Sequence, residues 1–131
     1  MEAYFQNMVE ELRQMRRDLH KIPELGLKEY KTSAYIREKL TSFGITELET
    51  WLETGVVAVI RGKGKGQAVA FRADMDALPV TEQTGCDFTS EHVGCMHACG
   101  HDGHVTVLLG FAKYLQEHKD ELKNDVVLIF Q

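Results

Sequence analysis

His104 to Gln131, HVTVLLGFAKYLQEHKDELKNDVVLIFQ, is the stretch whose reading sets the fold. Val105, Leu108, Leu109, Ala112 and Leu115 recur at helical spacing and predict a helix with one apolar face. Asn124-Asp125 then breaks the period. Val126-Val127-Leu128-Ile129-Phe130 follows as an unbroken apolar run, which predicts a strand buried on both faces. Upstream, Ala68-Val69-Ala70-Phe71 is another such run, separated from the helix by a long aperiodic segment. Strand, long loop, helix, strand predicts a βαβ-like unit of an α/β fold, with chemistry beyond the C-terminal ends of its strands.

The N-terminal half reads in the same way. Phe5, Met8, Val9, Leu12, Met15 and Leu19 predict a helix ending near Pro23, because the residue before a proline avoids helical geometry. Ile36, Leu40 and Phe43 mark a second helix from about Lys31 to Phe43, with Gly44 as its stop. Gly55 to Ile60 predicts a strand, joined to Ala68–Phe71 by a tight glycine-rich loop, Arg61-Gly62-Lys63-Gly64-Lys65-Gly66-Gln67. That GxGxG is a turn and not a phosphate cradle, since phosphate loops open a helix and here a strand follows.

Composition removes several classes of function. The chain has 131 residues, 44% of them hydrophobic and 27% charged, enough apolar surface for one domain with a core. Fifteen Lys plus Arg against 20 Asp plus Glu give a net charge of −5, which argues against a nucleic-acid surface or a membrane-seeking basic helix. No apolar run approaches the roughly 18 residues of a membrane span, and no secretory signal opens the chain. The expected location is the cytoplasm.

Cys86, Cys95 and Cys99 are an odd count crowded into one segment, unlike a disulfide framework. The segment from Pro79 to Cys99 is long, aperiodic and rich in Cys, His and Met, so a functional loop is expected. Two constellations flank it. Arg72-Ala73-Asp74-Met75-Asp76-Ala77-Leu78-Pro79 sets two carboxylates at a strand end, where they orient or share a metal, or where Asp76 simply caps a turn. His97-Ala98-Cys99-Gly100-His101-Asp102-Gly103-His104 offers thiolate and imidazole ligands just ahead of a helix. A helix N-terminus favours the thiolate that a metal requires. Asp102 and His104 read as partners of these ligands or as first-turn residues, with capping the stronger reading for Asp102.

The competing readings are weaker. A zinc knot from Cys86, Cys95, Cys99 and His101 lacks the C-x2-C pairs of ribbons and knuckles. A Cys99 nucleophile paired with His97 or His101 leaves Asp74 and Asp76 without a task. Cys86 and Cys95 read as ordinary thiols, and His20 and His118 as exposed helix residues.

Three motifs in order, Arg16-Arg17-Asp18-Leu19-His20-Lys21-Ile22-Pro23-Glu24-Leu25-Gly26, Phe71 to Pro79 and Met96 to His104, resemble the M20 metallopeptidases. The branch they look like is the bacterial amidohydrolases of N-acyl amino acids and hippurate, together with the plant auxin-conjugate hydrolases. The resemblance implies the N-terminal part of a mixed-sheet, zinc-peptidase-like α/β catalytic domain, with helices flanking the sheet and a lid or dimerisation domain elsewhere. It implies two divalent metals, Mn or Zn with Ni or Co as alternatives, with Cys99 and His101 as ligands and Asp74 or Asp76 supporting the site. It further implies a small N-acyl amino acid substrate, no nucleic-acid or membrane partner, and a homodimer or larger assembly for full-length members.

In that family a Pro-Ala-Glu-Glu segment follows the strand, bringing the general-base Glu and another ligand, and later segments bring further His ligands. The chain stops at Phe130-Gln131, before any of these. Residues 1–131 are therefore expected to be the front piece of the catalytic domain, inactive alone, with a face or edge of strand 126–130 bare. An N-acetyldiaminopimelate deacetylase carries very similar motifs, and a non-catalytic metal-binding or interaction module is the rival from another class.

Overall fold

The computed structural model describes residues 1–64 and 66–131. The GxGxG reading therefore falls partly, at Lys65, outside the described residues. In chain order the elements are helices α1 (Glu2–Asn7), α2 (Val9–Lys21) and α3 (Tyr30–Ser42) and strands β1 (Leu48–Trp51), β2 (Gly55–Ile60) and β3 (Val69–Ala73). Helix α4 (His101–Glu117), a short 3-10 turn (Lys119–Glu121) and strand β4 (Val126–Phe130) complete them.

The four strands lie in the order β1-β2-β4-β3. β3 and β4 run parallel with α4 as the crossover, the βαβ unit that the sequence predicts. β1–β2 and β2–β4 are antiparallel. The sheet is thus mixed, and its most apolar strand, β4, takes an interior place with a neighbour on each side. Both of its edges are paired, so of the expected bare face or edge, it is a face that is left partly open.

β4 is not buried on both faces. Val126, Leu128 and Phe130 are buried, while Val127 and Ile129 between them are half-exposed. Val56, Ala58 and Ile60 of β2 join the first set in one core with Met15, Leu19, Ile36, Leu40, Val105, Leu109 and Ala112 of the helices. The reason is layering. The helices cover one face of the sheet, and the alternate residues face away from them.

The glycine-rich loop joins β2 to β3, but these strands do not pair, because β4 lies between them. The loop reaches across by following the residues just before β4. The Lys63 amide donates to the Leu122 carbonyl at 2.9 Å, Gly62 N to Asp125 Oδ1 at 2.9 Å, and Val69 N to the Asp125 carbonyl at 3.0 Å. A Cβ at Gly62 would collide with the Asn124 backbone, and one at Gly64 with the Lys123 carbonyl. Close backbone approach, not phosphate binding, is what these glycines serve. Gly62→Ala is expected to cost about 1–3 kcal/mol through forced backbone shifts, read as a lower Tm by circular dichroism.

The helix expected over Phe5–Leu19 is divided at Met8, whose amide closes α1 on the Phe5 carbonyl at 3.1 Å. α3 ends as its sequence predicts. Gly44 has φ +89°, and the Ile45 amide returns to the Leu40 carbonyl at 3.0 Å. Its other end is capped from a distance. The Glu24 carboxylate accepts the Lys31 amide at 3.1 Å and the Thr32 amide at 2.7 Å, two of the helix's unpaired donors.

Candidate metal centre

The register Ala73↔Phe130 brings the C-terminal ends of β3 and β4 level. Extended pairing continues one step further: the Gln131 amide donates to the Ala73 carbonyl, and the Met75 amide to the Gln131 carbonyl, both at 3.1 Å. Ala73, Met75 and Ala77 are buried in alternation, so Asp74 and Asp76 share the opposite side. The spacing of the two carboxylates thus places them together.

His101 opens α4 behind Gly100, whose φ of +94° makes the turn from loop to helix and favours glycine there. His104, three residues on, lies on the same helix face, its ring centroid 5.3 Å from that of His101. The ligand atoms of Asp74, His101 and His104 all lie within 4.8 Å of one another. A carboxylate and two imidazoles are a donor set that fits a borderline divalent ion such as zinc or manganese.

The tautomer of His101 follows from its partners. Nδ1 lies 3.0 Å from the Asp76 carbonyl oxygen and 2.9 Å from Asp76 Oδ1. A carbonyl oxygen only accepts, so Nδ1 carries the proton and donates. In the neutral ring Nε2 then carries the lone pair, and it lies 3.6 Å from Asp74 Oδ2. Asp76 is placed to orient the imidazole, whereas Asp74 faces the other ring nitrogen, Nε2, and is itself paired with Arg72. Cys99 is exposed and, among the described residues, is not part of the converging group.

His97 is 4% exposed, and neither ring nitrogen has a partner among the described residues. Burial pushes its pKa down to about 4, outweighing the pull of Asp102, so the ring is neutral near pH 7. Cys95 is half-buried, and burial raises its thiol pKa. The Cys86 thiol donates to Glu82 Oε2 at 3.6 Å.

Three histidine and aspartate readings need correction. Asp102 is not a cap, since Gly100 holds the cap position. It is 1% exposed, and its Oδ2 accepts from His20 Nδ1 at 2.7 Å and Arg16 Nε at 3.0 Å. His20 is not exposed but 3% accessible, because its face of α2 turns onto the head of α4. His118 is half-buried at the end of α4, stacked on Tyr114 and donating from Nδ1 to the Tyr114 carbonyl at 2.8 Å.

Residues 79–99 contain no helix or strand, but the segment is tied down at many points. Leu78 and Met96 form an isolated antiparallel bridge, Glu91 N donates to the Lys21 carbonyl at 2.8 Å, and His92 Nδ1 to the Pro23 carbonyl at 2.8 Å. Burial pushes the Glu82 carboxyl up, but hydrogen bonds from Thr84, the Ser90 amide and His20 outweigh it and hold the pKa at about 2. A carboxyl depressed on folding stabilises fully above its unfolded pKa of 4.5 and loses that contribution as pH falls toward 2. Tm is therefore expected to drop between pH 5 and pH 2, less steeply in Glu82→Gln, as measured by thermal melts across that range.

The pattern of Peptidase family M20/M25/M40 matches residues 70–131. N-acetyl-L-cysteine deacetylase of Bacillus subtilis is 50% identical over 117 residues, which are 89% of this chain and 28% of the relative. N-acetyldiaminopimelate deacetylase of Oceanobacillus iheyensis is 44% identical over 126 residues, 95% of this chain and 33% of the relative. The crystal structure of a Bacillus subtilis protein described as a dinuclear metal binding peptidase from the M20 family superposes with a TM-score of 0.90 at 44% identity. That match covers 96% of this chain and 35% of the other. The chain spans about a third of the length of the curated relatives it matches. Residues 70–131, which hold both motifs that flank the long loop, match the pattern of peptidase family M20/M25/M40, and the fold of the chain is similar to that of the M20 structure over 96% of its length.

Proposed function

We propose that residues 1–131 are the N-terminal part of the catalytic domain of a metal-dependent amidohydrolase, which releases amino acids from small N-acyl amino acids in the cytoplasm. The observation that carries this reading is the convergence of Asp74, His101 and His104 at the level ends of β3 and β4. The names of similar proteins support the substrate class: the two curated relatives described above are named as deacetylases of N-acetylated amino acids. N-acetyldiaminopimelate as substrate is the second reading, favoured by the relative of that name. No helix among the described residues is long and apolar enough to cross a membrane.

Two sets of this chain's residues would hold metal, and His101 is common to both. Geometry gathers Asp74, His101 and His104, while the motif resemblance implies Cys99 and His101. A divalent ion held there supplies Lewis acidity toward an amide carbonyl. The chain's own contribution is to keep the His101 proton on Nδ1 through Asp76 and to present Nε2 beside Asp74. General-base catalysis is worth about 10²–10⁴-fold, and Asp74 and Asp76 both already have partners, so the 131 residues alone are read as inactive.

The test has two arms. The purified chain is loaded with Mn²⁺ or Zn²⁺, its metal content is measured, and release of amino acid from N-acetyl and N-benzoyl substrates is assayed. Bound metal without turnover is expected, and turnover abolished by Cys99→Ala would overturn the inactivity. In the second arm these residues replace their counterpart in the Bacillus subtilis N-acetyl-L-cysteine deacetylase. A folded chimera that fails to hydrolyse N-acetyl-cysteine would overturn the amidohydrolase reading.

A further inference from the structure

The first motif, Arg16 to Gly26, contributes no group to the converging set of Asp74, His101 and His104, yet it carries His20, which is buried between two carboxylates. The His20 side chain is 4% exposed and bonds in two directions at once. Nδ1 lies 2.7 Å from Asp102 Oδ2, and Nε2 lies 3.0 Å from Glu82 Oε1. Both acceptors are buried as well, with side chains 1% and 4% exposed. Arg16 adds a second donor to Asp102, and its guanidinium lies over the Phe88 ring, whose edge meets His20 at 5.6 Å between centroids. α2 therefore grips the long loop at Glu82 and Phe88 and grips α4 at the residue beside His101.

We infer that His20 is a positioning residue of the metal centre: it joins Glu82, at the start of the long loop, to Asp102, at the head of α4. In this way it fixes both ends of the segment that carries His97, Cys99 and His101. The inference rests on the metal-centre reading above.

Two physical points carry it. First, a loop of this length loses much chain entropy on ordering and has little regular backbone pairing to offset that loss. Glu82 supplies a fold point, because Oε1 accepts both His20 Nε2 and the Ser90 amide, the latter at 2.8 Å. Ser90 Oγ in turn donates to the Cys95 carbonyl at 2.7 Å, so the constraint runs on toward Met96 and the bridge with Leu78. Second, Asp102 follows His101 directly, so a shift of Asp102 moves Nε2 of His101 relative to Asp74. Arg16 also holds Asp102, but no bond links Arg16 to Glu82 among the described residues. His20 bonds both.

The experiment compares the unmodified chain with His20→Ala and Glu82→Gln by amide hydrogen exchange and by Co²⁺ titration. The Ser90 amide, bonded to Glu82, and the Gly103 amide, bonded to Asp102 Oδ1 at 2.9 Å, report the two ends of the link. Both are expected to exchange about tenfold faster or more in His20→Ala, with the β2–β4 amides unchanged. The Co²⁺ absorption spectrum should broaden and weaken at equal loading, a change that a loss of overall stability alone does not produce. Unchanged exchange at Ser90 and Gly103, or equal acceleration throughout the sheet, overturns the inference. If His20→Ala does not fold, Glu82→Gln decides by the same criteria at Ser90. Failure of the unmodified chain to bind Co²⁺ overturns the metal-centre reading and leaves His20 as a link between the loop and α4 alone. The exchange data still decide the link itself.

Discussion

His101→Ala is expected to weaken divalent-metal binding about 100-fold or more, since even a residue that only orients a ligand is worth roughly 10–100-fold. His101 is the one side chain shared by the two candidate ligand sets, so its loss is felt whichever set operates. Isothermal titration with Zn²⁺ or Mn²⁺ measures it, and wild-type affinity in the variant would remove the metal centre from this part of the chain. Asp76→Asn should fall within the roughly 10–100-fold range expected of an orienting partner, because the Asp76 backbone carbonyl still accepts from Nδ1. Cys99→Ala separates the two sets. Loss of a thiolate-to-cobalt charge-transfer band would place Cys99 on the metal, and a spectrum lacking that band in the unmodified chain would leave Asp74, His101 and His104.

Phe130→Ala is the substitution expected to damage the fold most. Phe130 is the largest of the fully buried side chains, it ends β4, and it pairs with Val56 on one side and Ala73 on the other. Truncating a buried Phe costs about 3–5 kcal/mol, from lost apolar burial plus the cavity left behind. A domain's total stability is about 5–15 kcal/mol, so urea unfolding should show a large fall in midpoint or a chain already unfolded in buffer. Ile129→Ala is the control. Ile129 lies on the face that no helix covers and is half-buried, so its truncation should cost well under half as much. Equal losses would mean that the far face is packed as tightly as the near one.

The two results would test different kinds of information. The elements were legible because a helix or strand announces itself through local periodicity. Gly55–Ile60 matched its predicted bounds, and Tyr30–Ser42 differed from its predicted bounds by one residue at each end. β1 was not legible. Leu48-Glu49-Thr50-Trp51 is a mostly exposed edge strand with no apolar alternation, so it carries no core-facing signal. The break at Met8 was hidden for the opposite reason, because apolar residues continue through it at helical spacing.

At the site, the sequence by itself determined which candidate residues share a side or a face. Two carboxylates two apart on an extended segment must share a side, and two histidines three apart on a helix must share a face. What the tertiary structure alone decided is which of them meet. The parallel register of β3 and β4 and the turn at Gly100 bring Asp74 to His101 and His104, while Cys99, nearest to His101 in sequence, stays outside the group. Tertiary structure also gave His20 its partners, from residues 62 and 82 positions away. Periodicity reports only which face of an element is apolar. Contacts between distant segments follow from how whole layers pack, and a single polar residue on an amphipathic helix bears no mark of the carboxylates it will meet.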